Sequence, residues 1–164
     1  MNQSFDIAVV GATGTVGETI VHILEERDFP VGELHLLASL ESAGSSVPYR
    51  GKNVRVREVY AFDFTQVRMV FFAAGPAVTL SFADKARAAG CAVIDLSGAL
   101  AQAQAPQVVP EANAQKLQGL PKPVQVSSPS PSATALAVVL APLRAAGHSA
   151  GECHRVPGGL GTRA

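Results

Sequence analysis

Short apolar runs alternate with amphipathic stretches along the first hundred residues of the chain. An apolar run of strand length at residues 7–10 leads into a helical pattern of apolar positions that continues to Leu24. The later pattern consists of apolar runs at residues 34–39, 67–74 and 91–96 and a helical pattern at residues 78–89 that Gly90 can end. Because strands alternate with helices and are apolar throughout, the pattern predicts a doubly wound α/β fold with a parallel sheet.

The first predicted helix has one apolar face, which we expect to pack on the sheet. The residues on that face are Val16, Ile20, Ile23, Leu24 and Arg27. The helix should end near residues 28–30, because Pro30 disfavours helical geometry in the residue before it.

The segment after the second apolar run contains a loop and a strand. Residues 44–50 are polar and predict a loop, whereas residues 53–59 alternate apolar and charged positions with a period of two. That alternation is typical of a half-buried strand, which we place at an edge of the sheet.

The pattern changes after Ser97. Residues 99–107 form a loop of alanine, glutamine and proline without periodicity. A short helix at residues 111–117, a short strand at 123–127 and a helix of good helix formers at 134–146 follow it. Residues 148–164 have no apolar period, so we predict one domain, residues 1–147, followed by a disordered C-terminal tail.

Three glycines mark the junction between the first strand and the first helix. Gly11 would let the chain turn sharply, Gly14 would let the backbone approach a pyrophosphate, and Gly17 would let the helix lie close to the strand. The helix N-terminus would offer free N–H groups and a partial positive charge to the phosphates. The arrangement predicts a Rossmann-type dinucleotide-binding domain; the alternative is that glycines spaced G-x-x-G-x-x-G only tighten the turn.

Charge and composition exclude some partners. Thirteen basic and thirteen acidic side chains balance in the 164 residues, so no overall charge would attract nucleic acid or an anionic membrane. No apolar run reaches membrane-spanning length, and the N-terminus lacks the character of a signal peptide, so we expect a cytoplasmic protein. Cys91 and Cys153 have neither disulfide nor metal-ligand spacing, and Cys91 is expected to be a buried, inert thiol.

A carboxylate follows the second predicted strand. In dinucleotide-binding folds the end of this strand meets the adenosine ribose, where an acidic residue binds the 2′-hydroxyl and an arginine suits a 2′-phosphate. Glu41 lies at about the spacing that the NAD fingerprint requires. Because a carboxylate there would repel a phosphate, Glu41 favours NAD over NADP as the cofactor; a solvated loop glutamate is the alternative.

Several motifs, taken in order, resemble a known enzyme family. The stretch GATGTVGETIVHILEERDFPVGELHLLAS is followed by SAG, VVPEAN and VVLAPL. From about residue 5 to residue 147 the chain resembles the N-terminal half of bacterial aspartate-semialdehyde dehydrogenases, and most of all their USG-1 subgroup. The resemblance implies an NAD(P)-binding domain from homodimeric enzymes of amino-acid biosynthesis. With NADPH, these enzymes reductively dephosphorylate aspartyl phosphate through a cysteine thioester.

The resemblance also implies a set of cofactor-binding positions. Where the family usually has an arginine suited to the 2′-phosphate of NADP, this chain has Glu41. Where the family has an Ala-Gly-Gly turn near the nicotinamide, Pro76 replaces one glycine. The implied dinucleotide-binding residues are Gly11, Ala12, Thr13, Gly14, Thr15 and Val16 in the glycine turn, Ser39, Glu41 and Ser42 after the second strand, and Ala74 and Gly75 after the apolar run at 67–74.

The family's catalytic positions are not kept. Pro131 stands where the family has its nucleophilic cysteine, and proline has no group that could form a thioester. Ala101 stands where the family has an arginine for the substrate phosphate. Ser130 or Ser132 could attack in principle, but no base of the serine-hydrolase type accompanies them in the sequence. We therefore assign no catalytic residue and no metal ligand.

The family's second domain has no counterpart in these 164 residues. In the family it supplies a histidine acid/base, substrate-binding arginines and most of the dimer interface, and a C-terminal helix returns to the first domain. Without that helix, an apolar face should be left bare. One choice of codons for residues 153–160, read one base later, translates to Val-Thr-Ala-Cys-Leu-Ala-Val. That sequence resembles the family's next strand. A frameshift near residues 147–152 is therefore our hypothesis for the tail.

Three functions are consistent with these observations. The first is an oxidoreductase of the semialdehyde dehydrogenase type that retains hydride chemistry. The second is a pseudoenzyme or binding module that holds a nucleotide, or a partner, without turnover, and Pro131 and Ala101 favour it. The third is a regulator related to short-chain dehydrogenases, whose catalytic form is disfavoured because neither Tyr49 nor Tyr60 has a lysine four residues later.

Overall fold

A seven-stranded sheet organises residues 4–145, the part of the chain that the computed structural model describes. In chain order the strands are β1 (Phe5–Val10), β2 (Val31–Ala38), β3 (Ser46–Tyr49), β4 (Lys52–Glu58), β5 (Met69–Phe72), β6 (Ala92–Asp95) and β7 (Gln125–Ser127). The helices are α1 (Thr15–Glu26), α2 (Pro76–Ala88), α3 (Pro110–Asn113) and α4 (Pro131–Ala145), with short 3-10 helices at Phe64–Gln66 and Ala114–Gly119. The predicted disorder of residues 148–164 lies outside the described residues.

The strands follow the order of a doubly wound sheet. They lie in the order β3-β4-β2-β1-β5-β6-β7, and every neighbouring pair is parallel except β3 and β4. β1 is central: Ile7 pairs with Leu34 of β2 on one side and with Met69 of β5 on the other. The predicted doubly wound α/β fold is confirmed, and the carboxyl ends of β1, β2 and β5 meet at one edge of the sheet.

The two faces of the central strands pack into separate apolar layers. Val9 of β1 lies in a layer with Val21 and Leu24 of α1. The next residue, Val10, faces the opposite layer, which contains Phe82 of α2. Burial on both faces explains why the central strands are continuous apolar runs in the sequence rather than alternating patterns.

The packing face of α1 differs from the predicted one. Gly17, Val21 and Leu24 are buried, whereas Val16 and Ile23, which we placed on the buried face, are exposed. The cause is Gly17, because its close contact with the preceding turn sets the rotation of the helix about its axis. The predicted end of the helix, before the proline, is confirmed.

An edge hairpin replaces the predicted polar loop. The segment predicted as a loop forms β3, which pairs antiparallel with β4. The turn between them consists of Arg50 and Gly51, which both have positive φ (47° and 72°). Val47 and Tyr49 are buried, and Pro48 between them is exposed, as an edge strand allows. The strand that we expected at the edge, β4, therefore lies between β2 and β3, and the edge prediction is wrong.

The predicted C-terminal elements are present with shifted ends. The predicted short helix divides into α3 and a 3-10 helix, and the predicted strand is shortened to β7. α4 begins earlier than predicted, at Pro131, because proline suits the first turn of a helix. Ser130 precedes it, and its Oγ accepts from the N–H of Ala133 at 3.4 Å, as a helix cap does.

Part of one sheet face and much of α4 are uncovered within residues 4–145. An apolar groove of about 510 Å³ runs over β5, β6 and β7, with Met69, Ile94 and Val126 among its lining residues. Large apolar side chains are also exposed along α4, at Leu136, Val138, Val139, Leu140 and Leu143. A helix that is apolar on all sides is ordinarily buried. Within the described range, the helices are too short or too polar to cross a membrane.

A histidine is buried in β2. His35 is 4% exposed, and its ring centroid lies 5.2 Å from that of Phe62. Its Nε2 is 3.7 Å from a carboxylate oxygen of Glu33. Burial lowers the pKa of His35 from its ordinary value of 6.5; the carboxylates of Glu33 and Asp6 oppose this shift, whereas Arg57 adds to it.

We expect acid to destabilise the fold through His35. Above pH 6.5, the ordinary histidine pKa, the imidazole is neutral in both states and contributes no pH dependence. Between 6.5 and the lower pKa of the folded state, the unfolded chain binds a proton that the folded chain does not. The free energy of unfolding should therefore decrease as the pH is lowered through this window, by up to about 1.4 kcal/mol per pH unit.

Urea unfolding between about pH 7.5 and about pH 5.5 measures this dependence. His35→Gln should flatten the acid limb, and the matched change at an exposed histidine, His22→Gln, should leave it unchanged. An acid limb that is equally steep in wild type and His35→Gln would contradict the assignment.

Candidate functional site

The junction between β1 and α1 is held by contacts between backbone atoms. Gly11 has a φ of 88°, a conformation that favours glycine. A Cβ atom at Gly11 would lie 2.7 Å from the backbone nitrogen of Ala74 and 2.9 Å from the carbonyl carbon of Ala73. The N–H groups of Gly11 and Ala12 both donate to the carbonyl of Leu37, at 2.8 and 3.1 Å. The turn is therefore fixed against the ends of β2 and β5 at once.

The fold makes different demands on the other two glycines. At Gly17 a Cβ atom would overlap the carbonyl oxygen of Gly11 and come within 2.7 Å of the Cα of Ala12, so no side chain fits. At Gly14 a Cβ atom would meet only the carbonyl oxygen of Gly11, at 3.5 Å, which is an ordinary contact distance. The φ of Gly14, −90°, also suits any residue. The fold requires Gly17 but leaves space beside Gly14.

The N-terminus of α1 presents unpaired N–H groups. Gly14 is the N-cap, and its carbonyl accepts from the N–H of Glu18 at 2.9 Å. The N–H groups of Thr13, Thr15 and Val16 have no acceptor among residues 4–145. Such groups, together with the partial positive charge of the helix end, form a site for phosphate.

A cleft of about 390 Å³ lies beside the glycine turn, at the carboxyl ends of β1, β2 and β5. Six of the predicted site residues line it: Gly11, Thr13, Gly14, Ser39, Ser42 and Ala74. The rest of the lining consists of Val10, Ala38, Val59, Tyr60, Ala73 and Val78. Three separate segments of the predicted site therefore meet at one cleft.

The other five predicted site residues do not line the cleft. Four of them flank it: Ala12 is buried beneath the turn, Thr15 and Val16 are on the exposed first turn of α1, and Gly75 is the N-cap of α2. The fifth, Glu41, lies in a tight turn after β2, where the N–H groups of Ser42 and Ala43 both donate to the carbonyl of Ser39. Its side chain is exposed, at the strand end where a dinucleotide's ribose would lie.

The structure places at the cleft an aromatic residue that the sequence did not lead us to predict there. Tyr60 follows β4, lines the cleft and is 73% exposed. Its ring meets that of Phe82 edge to face, with the ring centroids 5.0 Å apart. An exposed aromatic ring of this kind can stack on a planar ligand. Its position directly after a strand could have indicated that it lies at the cleft. In the sequence we considered Tyr60 only as a possible catalytic tyrosine.

A buried carboxylate anchors the loop after β6. Asp95 is fully buried, and its Oδ1 accepts from the N–H and the hydroxyl of Ser97, at 2.7 and 2.6 Å. Its Oδ2 accepts from the N–H of Leu100 at 3.0 Å. The hydroxyl of Ser97 also lies 3.0 Å from that of Thr79 in α2. These bonds satisfy the buried charge and hold the loop against α2. An isolated aspartate at the end of an apolar strand has no spacing that would predict this role.

The residue that we predicted at the position of the family's nucleophile, Pro131, lies at the start of α4. Pro131 is the exposed first residue of the helix, after the segment that leaves the carboxyl end of β7. The N–H of Ser128 in that segment donates to the carbonyl of Asp95 at 2.8 Å. Among the side chains that the structure describes, no acid or histidine hydrogen-bonds the hydroxyl of Ser130 or Ser132. The described side chains therefore supply no base that would activate either serine.

Cys91 is buried, as predicted. Its thiol donates to the carbonyls of Phe64 and Val67, at 3.1 and 3.2 Å. Burial raises the pKa of Cys91, which keeps the thiol protonated and unreactive. Cys153 lies outside the described residues. From residue 4 to residue 145, no three His, Cys, Asp or Glu side chains come together as a metal site requires.

Comparison with known proteins gives consistent matches. Residues 6–120 match the family described as semialdehyde dehydrogenase, NAD binding domain. The chain is 63% identical to a USG-1 protein homolog of Azotobacter vinelandii over 144 residues, which are 88% of this chain and 43% of that protein.

Two solved structures are similar to the chain over the same region. A probable aspartate-semialdehyde dehydrogenase from Pseudomonas aeruginosa is 51% identical with a TM-score of 0.85, over 87% of this chain and 43% of that one. Aspartate semialdehyde dehydrogenase II from Vibrio cholerae, complexed with ASA, is 39% identical with a TM-score of 0.84, over 88% and 47%. The chain spans less than half the length of these relatives.

We expect Gly17→Ala to destabilise the fold and Gly14→Ala to leave it nearly unchanged. The methyl group at position 17 would have to displace the backbone of the turn, which costs roughly 1–3 kcal/mol or more. The methyl group at position 14 would make one ordinary contact, so its effect should stay within about 1 kcal/mol. Urea unfolding of both variants measures the difference, and equal destabilisation would contradict the distinct roles of the two glycines.

Proposed function

The chain belongs to the semialdehyde dehydrogenase family, as the resemblance predicted, and we propose that its NAD-binding domain holds a nicotinamide dinucleotide in the glycine-turn cleft. The observation that carries the proposal is the position of the unpaired N–H groups of Thr13, Thr15 and Val16 beside a cleft of about 390 Å³. A pyrophosphate is the part of the dinucleotide that these groups fit, because it is anionic and accepts hydrogen bonds.

The space beside Gly14 supports this use of the turn. Gly14 lines the cleft, and it has no Cβ atom that would keep a ligand away from the backbone. Because the fold would tolerate a side chain at this position, the glycine is better explained by the close approach of a ligand than by the turn itself. When bound, the dinucleotide would supply hydride chemistry, and the residues of this chain would bind and orient it.

The apolar wall of the cleft suits a planar ring. Tyr60, Val59 and Ala38 lie near the ends of β4 and β2, on the side of the cleft where the adenosine half of a dinucleotide binds in folds of this type. Tyr60 presents its ring to the cleft and is supported by Phe82. We assign the adenine to this wall and the nicotinamide to the side of Ala73 and Ala74.

Glu41 favours NAD over NADP. Its carboxylate is exposed just after β2 and would accept a hydrogen bond from the 2′-hydroxyl of the ribose. The same carboxylate would repel the 2′-phosphate of NADP through direct Coulomb interaction.

A second candidate function is nucleotide binding without turnover. The residue at the position of the family's nucleophile favours it. The family reaction needs a thiolate there, and Pro131 supplies no nucleophilic atom. Ala101, exposed after the loop that Asp95 anchors, supplies no cation for a substrate phosphate. The chain would then act as a pseudoenzyme or nucleotide-dependent binding module. A cytoplasmic location stays a prediction. Homodimer formation is a property of the family that the resemblance implies, and most of that interface is expected in the family's second domain.

We expect NAD⁺ and NADH to bind the 164-residue chain, and Gly14→Asp to weaken this binding strongly. The new carboxylate would enter the phosphate site and weaken binding at least about tenfold, because it repels the pyrophosphate at close range. Isothermal titration calorimetry with NAD⁺, NADH, NADP⁺ and NADPH measures the affinities.

Gly14→Asn is the matched control, because asparagine has the size of aspartate without its charge. We expect Gly14→Asn to bind more tightly than Gly14→Asp, and both variants to unfold at the wild-type urea concentration, since the fold leaves space at this position. Failure of folded wild-type protein to bind any of the four dinucleotides would refute the proposal.

We expect Glu41→Arg to shift the preference from NAD toward NADP. The change replaces a charge that repels the 2′-phosphate with one that attracts it, so the ratio of the two affinities should change by about tenfold or more. Glu41→Gln, which removes only the repulsion, should give a smaller shift. If the ratio measured by calorimetry is the same for wild type and both variants, Glu41 is a solvated loop residue.

A further inference from the structure

The segments that line the glycine-turn cleft differ in the side chains that they offer to a ligand. In the segments that follow β2 and β4, the lining residues with a hydroxyl group are Ser39, Ser42 and Tyr60. After β5 and in the first turn of α2, the lining residues are Ala73, Ala74 and Val78. None of these last three has a polar side-chain atom. Beyond the turn itself, polar recognition by side chains is therefore concentrated near β2 and β4.

Two hydroxyl groups close to the β5 part of the lining are already used within the chain. Thr79, which follows Val78, is fully buried, and its hydroxyl lies 3.0 Å from that of Ser97. The hydroxyl of Ser97 donates to the carboxylate of Asp95 at 2.6 Å, so the hydroxyl of Thr79 donates to Ser97. Neither hydroxyl has a proton left for a ligand. The carboxamide of a nicotinamide would therefore meet only the apolar side chains of this part of the lining.

The turn and the segments after β2 and β4 suit the three parts of an ADP group. The unpaired N–H groups of Thr13, Thr15 and Val16 suit the diphosphate. The carboxylate of Glu41 is exposed where the ribose of the adenosine would lie. The ring of Tyr60 is 73% exposed and can stack on the adenine. Each ligand group that these residues can recognise thus belongs to the ADP half of a dinucleotide.

We propose that the glycine-turn cleft recognises the ADP group and does not select what the β-phosphate carries, so that ADP-ribose is a ligand as well as NADH. The inference rests on the proposed function, because it concerns the same cleft. The cleft volume of about 390 Å³ is near the lower end of the range for drug-sized ligands. A dinucleotide is larger than such a ligand, so its nicotinamide half extends beyond the enclosed part of the cleft.

NADH and ADP-ribose are a matched pair of ligands for this test. They carry the same diphosphate with the same charge, and ADP-ribose has a hydroxyl group where NADH has its dihydronicotinamide ring. Isothermal titration calorimetry of the 164-residue chain measures both dissociation constants. We expect them to differ by less than about fivefold, the effect of one ordinary hydrogen bond. Nicotinamide mononucleotide, which lacks the adenosine and one phosphate, should bind at least about a hundredfold more weakly than NADH.

Heteronuclear NMR of the nitrogen-labelled chain shows whether the two ligands occupy the same site. Saturating ADP-ribose should move the backbone amide signals of Gly14 and Tyr60, which both line the cleft, in the same direction and to the same extent as NADH. The amide signal of Leu80, an exposed residue of α2 that does not line the cleft, should move with neither ligand.

Variants of Tyr60 test the adenine contact. Tyr60→Leu should weaken NADH and ADP-ribose equally, by about tenfold, because it removes the ring on which the adenine stacks. Tyr60→Phe keeps the ring and its contact with Phe82, so it should bind both ligands like the wild type. Leu80→Ala, which removes exposed apolar surface away from the cleft, is the matched control and should change neither affinity.

The possible failures of the inference and of the proposed function are distinguishable. NADH binding that is tighter than ADP-ribose binding by more than about fivefold would overturn the inference and leave the proposed function standing. ADP-ribose shifts at Gly14 and Tyr60 that differ from those of NADH would have the same meaning. Unchanged affinities in Tyr60→Leu would overturn the adenine contact on which the inference depends. Binding of neither ligand by the folded chain would refute the inference and the proposed function together.

Discussion

Close contact between backbone atoms at the glycine turn is the constraint on which the cleft depends. No Cβ atom fits between Gly11 and Ala74, and none fits between Gly17 and Gly11. Because main chain rather than flexible side chains makes these contacts, the start of α1 has one position relative to β1, β2 and β5. A ligand that enters the cleft therefore meets N–H groups that are already in place, and binding does not have to order them.

Contacts between neighbours in the sequence were predictable. β1, the turn and α1 are contiguous, so the apolar run, the glycine spacing and the helical period predict these elements and their order. Ser39 and Ser42 could also be placed at the cleft, because the carboxyl ends of parallel strands share an edge of the sheet. The family resemblance rests on the same local motifs, which is why it agrees with the match over residues 6–120.

Features set by distant packing could not be predicted in the same way. Arg50 adopts a positive φ without the Asn-Gly or Asp-Gly signal of a tight hairpin, so β3 resembled a loop. The buried face of α1 depends on the overlap that a side chain at Gly17 would cause, which its apolar period does not record. Tyr60 reaches the cleft only because β4 pairs with β2, a register that a single sequence does not reveal.

The central position of β1 has a consequence for synthesis of the chain. Its first neighbour, β2, is complete at Ala38, but the wall that Gly11 packs against, Ala73 and Ala74, is made roughly 2–7 seconds later at ordinary rates of translation. During that interval the nascent chain can form β1, α1 and β2, with one edge of the future central strand still unpaired. An unpaired apolar edge invites association with other chains, so we expect the growing polypeptide to depend on chaperones most strongly before β5 leaves the ribosome.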